Sequence, residues 1–373
     1  MKNKGPGSRY IFGLVVILAL FLALGLWPKG GMIRPDVVQA KITEWMADPA
    51  TERSPFNENH PGIRAAIAVQ DRHTRRLIAI PDVVGTAVGL TETGQPAVLV
   101  FLKGTPPPGL LPENIEGVPV VAKLTGAFVA MQPPAGKGPG SGGGGNIDPT
   151  AFFPRPVPIG VSTGNEGECS AGTIGARVKS GSTVYALSNN HVYALENDAS
   201  IGSEILQPGR YDTNCSIVEG NAIGTLSNYV SLKFNSSPNT VDAAIAVTTT
   251  GSLGNATPAD GYGTPKSGAT AAGLNDAVQK YGRTTKLTKG TITAINATVN
   301  IGYSSGTALF VNQIVVYGNK PFIKAGDSGS LLVTDPGRNP VGLLFAGTSS
   351  GKYAIANQIG VVLNALGVTI DGE

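Results

Sequence analysis

Lys324 to Ser330 reads Lys-Ala-Gly-Asp-Ser-Gly-Ser, and Leu331-Leu-Val333 follows at once. A serine on a glycine-flanked turn that feeds an apolar strand exposes its hydroxyl, and glycine lets neighbouring amides converge on one point. Ser328 is therefore a candidate nucleophile for acyl transfer, and the N–H groups of Gly326 and Ser328 are candidate oxyanion donors. A serine hydroxyl is a weak nucleophile by itself, so a base and an orienting carboxylate are required. The chain has three histidines, and His60 and His73 lie far upstream. That leaves His191, in Tyr185-Ala-Leu-Ser-Asn-Asn-His191-Val192, where an apolar run ends in a polar turn. Asp242 is a lone carboxylate within the apolar run Val241–Val247. A buried carboxylate needs a partner, and an imidazole N–H would satisfy it and fix the tautomer.

The elements that must position these residues read as short strands. From Arg155 onward, brief apolar runs alternate with Gly, Asn, Ser and Asp turns, as antiparallel barrels require. A first group comprises Gly172–Val178, Thr183–Ser188, Glu204–Leu206, Gly220–Tyr229 and Val241–Val247. A second comprises Ala277–Gly282, Gly290–Val299, Gln313–Tyr317, Ser328–Thr334, Val341–Ala346 and Tyr353–Asn357, with a closing helix at Gln358–Leu366. His191 and Asp242 belong to the first group and Ser328 to the second, so a site built from them would lie between the two.

The order His, Asp, Ser excludes rivals. An α/β-hydrolase needs a histidine after its serine, and none follows Ser328. A subtilisin-like chain would place the aspartate before the histidine. On Ser188-Asn-Asn-His191-Val, Val241-Asp242-Ala-Ala-Ile-Ala and Gly326-Asp-Ser328-Gly-Ser330-Leu-Leu-Val, the chain resembles the trypsin-like, chymotrypsin-fold serine peptidases over roughly residues 160–368. Cys169-Ser-Ala-Gly-Thr-Ile-Gly, Leu206-Gln-Pro-Gly209 and Tyr281-Gly-Arg-Thr-Thr285 are similar to the Nal1-like bacterial and plant subgroup. Two positions depart from the pattern: Ser330 replaces a glycine after the nucleophile, and Lys286 stands where glycine is expected after the Arg-Thr-Thr run.

The resemblance implies a mainly β fold of two six-stranded antiparallel barrels, at about residues 160–250 and 265–360 of a peptidase domain spanning 151–373. It implies a catalytic triad of His191, Asp242 and Ser328, and a substrate-binding edge strand at Val341–Gly347. By counting along the motif, Phe322 falls at the bottom of the primary pocket, with Ala346 and Gly347 on its wall. Such a pocket, apolar and without an acid, disfavours Lys and Arg substrates. Asp327 matches a carboxylate that in many relatives pairs with an N-terminus freed by zymogen cleavage. Here Ile159-Gly-Val follows Pro158, a poor site for that step, so a built-in active conformation is expected.

Upstream, Lys2, Lys4 and Arg9 precede an uncharged run of about 17 residues, Ile11 to Trp27. Residues 1–33 read as a signal sequence or an N-terminal hydrophobic helix anchoring the chain in a membrane, with the remainder exported. Val38-Gln-Ala40 is a candidate cleavage site, although Lys29 and Arg34 separate it from the apolar run. Residues 34–132 read as a small α/β domain: helices over Val37–Met46 and from about Asn59 to Ile80, a hairpin at Val83–Leu102, then strands at Val118–Leu124 and Ala127–Met131. It has no nucleophile–base pair of its own and reads as a regulatory, docking or pro-domain, or as support for the barrels. His73, beside Arg72, Arg75 and Arg76, reads as part of a solvated face. The Gly/Pro-rich run in 133–150 is a linker, a spacer or a place for proteolytic release.

Only 14% of residues are charged and 51 are glycine, which suits a turn-rich β protein. The net charge of +3 is scattered, which argues against a nucleic-acid surface. Cys169 and Cys215 bracket His191. In an oxidising compartment they form one disulfide across the first barrel; otherwise they are two buried thiols. No spacing suggests a metal or an organic cofactor. The expected function is a serine endopeptidase acting on protein or peptide substrates outside the cytoplasm. The alternative is a catalytically silent barrel serving as a surface binding or regulatory module.

Overall fold

The computed structural model describes residues 56–105, 109–131, 147–235 and 237–373, all within the compact unit Arg53–Glu373. The apolar run at 11–27, the helix expected at Val37–Met46 and the glycine-rich stretch at 133–145 lie outside the described residues. Among the described residues, no helix is long and apolar enough to cross a membrane.

Helix α1 (Pro61–Ile78) begins with Pro at its first position, and the His60 side chain caps it by accepting from Gly62 N at 3.2 Å. Its buried stripe is Ile63, Ala66, Val69, Gln70 and Leu77. The helix ends shortly before Pro81, which cannot continue it. Strands β1 (Val83–Leu90) and β2 (Pro96–Leu102) form the expected hairpin. Strands β3 (Asn114–Ile115) and β4 (Val118–Leu124) follow, then β5 (Phe128–Ala130).

The first barrel is built from β6 (Ser162–Asn165), β7 (Gly172–Thr173), β8 (Ala176–Ser180), β9 (Thr183–Ser188), β10 (Glu204–Leu206), β11 (Ala222–Tyr229) and β12 (Ala244–Thr248). Between β9 and β10 lies the single-turn helix α2 (Asn190–Tyr193). The pairing order is β8–β9–β12–β11–β10–β6–β7. β7 and β8 are two halves of one bent strand: Ile174 N donates to Val161 O at 3.0 Å on one side, and Gly175 N to Leu187 O at 2.8 Å on the other. Six strands thus close around Ile174, Ala186, Val192, Ile205, Leu226 and Ala244. Gly175 cannot be replaced cheaply, because a Cβ there would stand 2.3 Å from the carbonyl oxygen of Gly329 in the other barrel.

The second barrel comprises β13 (Ala277–Gly282), β14 (Lys286–Tyr303), β15 (Gly306–Tyr317), β16 (Leu331–Thr334), β17 (Pro340–Thr348) and β18 (Tyr353–Gln358). Its order is β13–β16–β17–β18–β15–β14, and β14 pairs back to β13, so the ring is closed. Helix α3 (Ile359–Leu366) ends at Gly367, whose φ of +67° makes the left-handed cap. Strand β19 (Thr369–Ile370) then returns to pair with β8 of the first barrel.

β14 and β15 are longer than the sequence periodicity indicated, because three register shifts carry their pairing past bulges that interrupt the alternation. Asp242 lies two residues before β12 rather than inside it, and β6 and β19 carry too little apolar pattern to be read in advance.

The described part of residues 34–132 is joined to the barrel by hydrogen bonding. β1 pairs with β14, with Gly85 opposite Val299, and the sheet continues outward through β2, β4 and β3. β5 leaves that sheet. It runs antiparallel to β17 and parallel to β14.

Candidate active site

His191 is the second residue of α2, which starts one residue, Asn189, after β9 ends at Ser188. Asn189 Nδ2 donates to the backbone oxygen of Asp242 at 2.7 Å, tying the turn to the chain before β12. His191 Nδ1 lies 2.6 Å from Asp242 Oδ2, and the His191 amide donates to Oδ1 at 3.2 Å. Neither side chain is exposed. An ionised carboxylate only accepts, so Nδ1 carries the proton. Tyr303 Oη also holds this buried charge, donating to Oδ2 at 2.8 Å, while the Asp242 backbone is fixed by its amide donating to Asn357 Oδ1 at 2.9 Å. Asn357 is itself fixed by Gln313 Oε1 at 2.7 Å. Burial, and then the nearby Asp242 charge, push the Tyr303 phenol well above its ordinary range, so it remains a donor.

Ser328 lies on the turn between Lys324 and β16, where Gly326 and Gly329 take φ of +96° and +92°. Its Oγ donates to Phe345 O at 3.1 Å, and its carbonyl accepts from Thr173 N at 2.7 Å. A Cβ built on Gly172 would stand 2.5 Å from Val192 Cγ2 and 3.0 Å from Ser328 O. The turn bearing His191 and the turn bearing Ser328 therefore meet over Gly172, at the junction of the barrels.

The Ser328 turn is anchored from below. Asp327 accepts from Lys324 N at 2.9 Å, Thr284 N at 2.8 Å, Thr285 N at 3.1 Å and Thr285 Oγ1 at 2.7 Å. Lys280, on β13, completes this set as an internal cation beside the carboxylate. Burial pulls the Lys280 ammonium below its ordinary range, and the Asp327 charge opposes that. Arg283 makes a two-point ion pair with Asp212, with Nε at 2.7 Å from Oδ2. Its amide donates to Thr173 Oγ1 at 3.0 Å, and that hydroxyl donates to Gly326 O at 2.8 Å. Lys286, in the place of the expected glycine, adopts φ of +54° and supplies the left-handed turn conformation.

The edge of β17 beside Ser328 is occupied. Ala346 is opposite Ala130, Gly347 opposite Val129 and Thr348 opposite Phe128. Met131 continues the strand: its amide donates to Phe345 O at 3.2 Å, and its carbonyl oxygen accepts from Gly326 N at 2.7 Å. The Met131 side chain is 5% exposed and shares an apolar cluster with Phe322 and Ile323. Its Cε reaches to 3.0 Å from where a Cβ on Gly347 would stand. Phe322 and Gly347 are thus brought together around Met131, whereas Ala346 belongs to the neighbouring cluster with Phe128, Phe310 and Phe345.

Cys169 and Cys215 are joined in a disulfide. His60 caps α1, and His73 Nε2 lies 2.7 Å from Glu116 Oε1, so both are structural groups of the upstream segment. Sequence reading missed Lys280, Tyr303, Asp212 and Asn357. Lys280 alone left a signal, as a charged residue inside an apolar strand run.

No family model and no curated protein matches the chain. Among solved structures it is similar to Thermobifida fusca Protease A, at 20% identity and a TM-score of 0.43 over 58% of this chain and 100% of that one. It is similar to Cellulomonas bogoriensis chymotrypsin at 23% identity and a TM-score of 0.40, over 58% and 99% of the two chains. A glutamic-acid-specific serine protease is 24% identical at a TM-score of 0.42, over 57% of this chain and all of that one. At these identities and TM-scores the likeness assigns no activity and no residue's role.

Proposed function

We propose that the chain is a serine endopeptidase of the trypsin-like kind, hydrolysing peptide bonds through an acyl-enzyme. The observation that carries this reading is the buried 2.6 Å contact between His191 Nδ1 and Asp242 Oδ2 at the barrel junction that also holds Ser328. Ser328 Oγ attacks the carbonyl while His191 Nε2 accepts its proton. Asp242 stays ionised and holds the ring. The amides of Gly326 and Ser328 stabilise the oxyanion, and the same proton passes to the leaving amine. Lys280 stands where a cleaved N-terminus would otherwise neutralise Asp327, so the Ser328 turn needs no such cleavage to form. A pocket bounded by Phe322 and Gly347 takes apolar side chains and disfavours Lys and Arg.

The finer placement is part of the same proposal. We assign the chain to the Nal1-like subgroup on the motifs around Cys169, Leu206 and Tyr281. Its substrates are proteins or peptides outside the cytoplasm, with residues 11–27 an anchor or a removed signal. The Cys169–Cys215 bond supports an oxidising compartment.

The test is fluorophosphonate labelling of the purified protein beside Ser328→Ala and His191→Ala. Labelling that needs both side chains is the expected result. Labelling that persists in Ser328→Ala places the nucleophile elsewhere and overturns the assignment.

A further inference from the structure

A peptide about to acylate Ser328 must meet three physical conditions. Its backbone must be extended and paired so that the carbonyl is fixed in register. Its carbonyl oxygen must accept from an oxyanion donor at about 2.7–3.1 Å. Its side chain before the scissile bond must be desolvated in a fitting pocket. Phe128–Met131 meets all three within its own chain. It is antiparallel to β17 over Phe128 to Ala130 and is held on its other edge by β14. Met131 O is 2.7 Å from Gly326 N, and Met131 N is 3.2 Å from Phe345 O, the carbonyl that also accepts from Ser328 Oγ. The Met131 side chain is buried against the pocket glycine, Gly347. Further along the chain, Ile147 O accepts from Lys286 Nζ at 2.6 Å, next to the Thr284-Thr285 segment that donates to Asp327.

We infer that the enzyme is its own first substrate, cutting the Met131–Gln132 bond in cis, with Phe128–Met131 retained in the cleft as a blocking product. The inference rests on the reading of Ser328 as the nucleophile. Ser328 Oγ bonds to the Met131 carbonyl carbon as its proton passes to His191. Collapse breaks the C–N bond, and the Gln132 nitrogen leaves with that proton as a free amine. Water then hydrolyses the Met131–Ser328 ester, releasing the Met131 carboxylate and restoring the hydroxyl. The product strand stays because β5 remains paired on both edges and is continuous with the β1–β4 sheet. The same geometry sets the preference in trans: an apolar residue not branched at Cβ on the acyl side of the scissile bond, preceded by a small one, as in Ala130-Met131.

The test follows the full chain by intact mass and N-terminal sequencing, as wild type, Ser328→Ala, Met131→Leu, Met131→Asp and Met131→Gly. A fragment beginning at Gln132 is expected from wild type and Met131→Leu, at a rate unchanged over a hundredfold dilution. Ser328→Ala should remain one chain. Cutting should slow at least tenfold in both Met131→Asp and Met131→Gly, and these variants, with the cleft vacated, should take fluorophosphonate faster than wild type, whose labelling is slowed by the retained strand. A cut at the same bond in Ser328→Ala, or a cut only elsewhere, overturns the inference. An intact wild type whose Met131→Asp or Met131→Gly variant is labelled overturns it too, and leaves the peptidase reading standing. An intact wild type with no labelling in any variant removes both.

Discussion

The Lys280 ammonium lies 3.2 Å from the Asp327 carboxylate, and neither side chain is exposed to solvent. An unpaired charge in that position would be costly, so each group depends on the other. Because Asp327 is adjacent to Ser328 and accepts four further hydrogen bonds from the surrounding turns, the pair couples folding of β13 to the shape of the oxyanion loop. Lys280→Met should therefore lose about 3–5 kcal/mol in urea unfolding, because it strands the carboxylate. Adding Asp327→Asn should restore a large part of that loss. A double variant less stable than the single would refute the pairing.

Gly326→Ala tests the loop itself. At φ of +96°, a Cβ would stand 2.5 Å from Arg283 Nη1 and 2.6 Å from Thr284 Oγ1. The turn must shift, and the donor amide with it. A fall in kcat/KM of about 10²–10³ is expected, the scale of one lost oxyanion donor. Thermal unfolding should remain cooperative. An unchanged rate constant would show that Gly326 N is not such a donor.

Tyr303→Phe removes one donor from the Asp242 carboxylate and leaves the ring packing among His191, Phe234 and Phe310 in place. A hydrogen bond to a charged group is worth about 1.5–3 kcal/mol. Some of that should appear as a lower urea midpoint and some as reduced kcat, with KM little changed. A rise in KM alone would point to a role in substrate contact instead.

The disulfide links residues separated by 46 positions. Replacing Cys169 and Cys215 together with serine should cost about 2–4 kcal/mol. Calorimetry with and without reductant checks this: the reductant should lower the wild-type Tm and leave the variant's unchanged.

Glu116 ties the strand β3–β4 connection to α1. The Arg72 hydrogen bond, reinforced by His73, lowers its carboxyl to about 2 from an ordinary 4.5. A carboxyl depressed in the folded state contributes stability above its unfolded value and loses it as pH falls through its folded one. The contribution should fade between about 4.5 and 2. Glu116 side-chain shifts followed by NMR should move their midpoint upward in Arg72→Ala. In wild type the midpoint should move the same way in high salt, because the pair is exposed.

Much of the barrel architecture was legible because strand alternation and turn residues are local signals. Gly172–Val178 and Ala277–Gly282 show this, each bounded by turn residues. His191 and Asp242 could be named as a pair because one histidine was available downstream and one carboxylate lay in an apolar stretch. Tyr303 could not be named: its hydroxyl bonds to Asp242 across 61 positions of the chain, from the far end of the bulged β14. Asp212 and Asn357 were hidden for the same reason, since a polar residue in a loop or at a strand end has no pattern that reveals its partner.

By itself the sequence determined the order of histidine, aspartate and serine, the glycine-permitted turn around Ser328 and the alternation that makes two sets of strands. These properties depend on residue type and near neighbours. The tertiary structure alone decided that Lys280 sits beneath Asp327 and that Phe128–Met131 lies along β17. Strand pairing is non-local: the backbone groups of β5 would satisfy any free edge, and only the assembled barrels determine which edge is within reach.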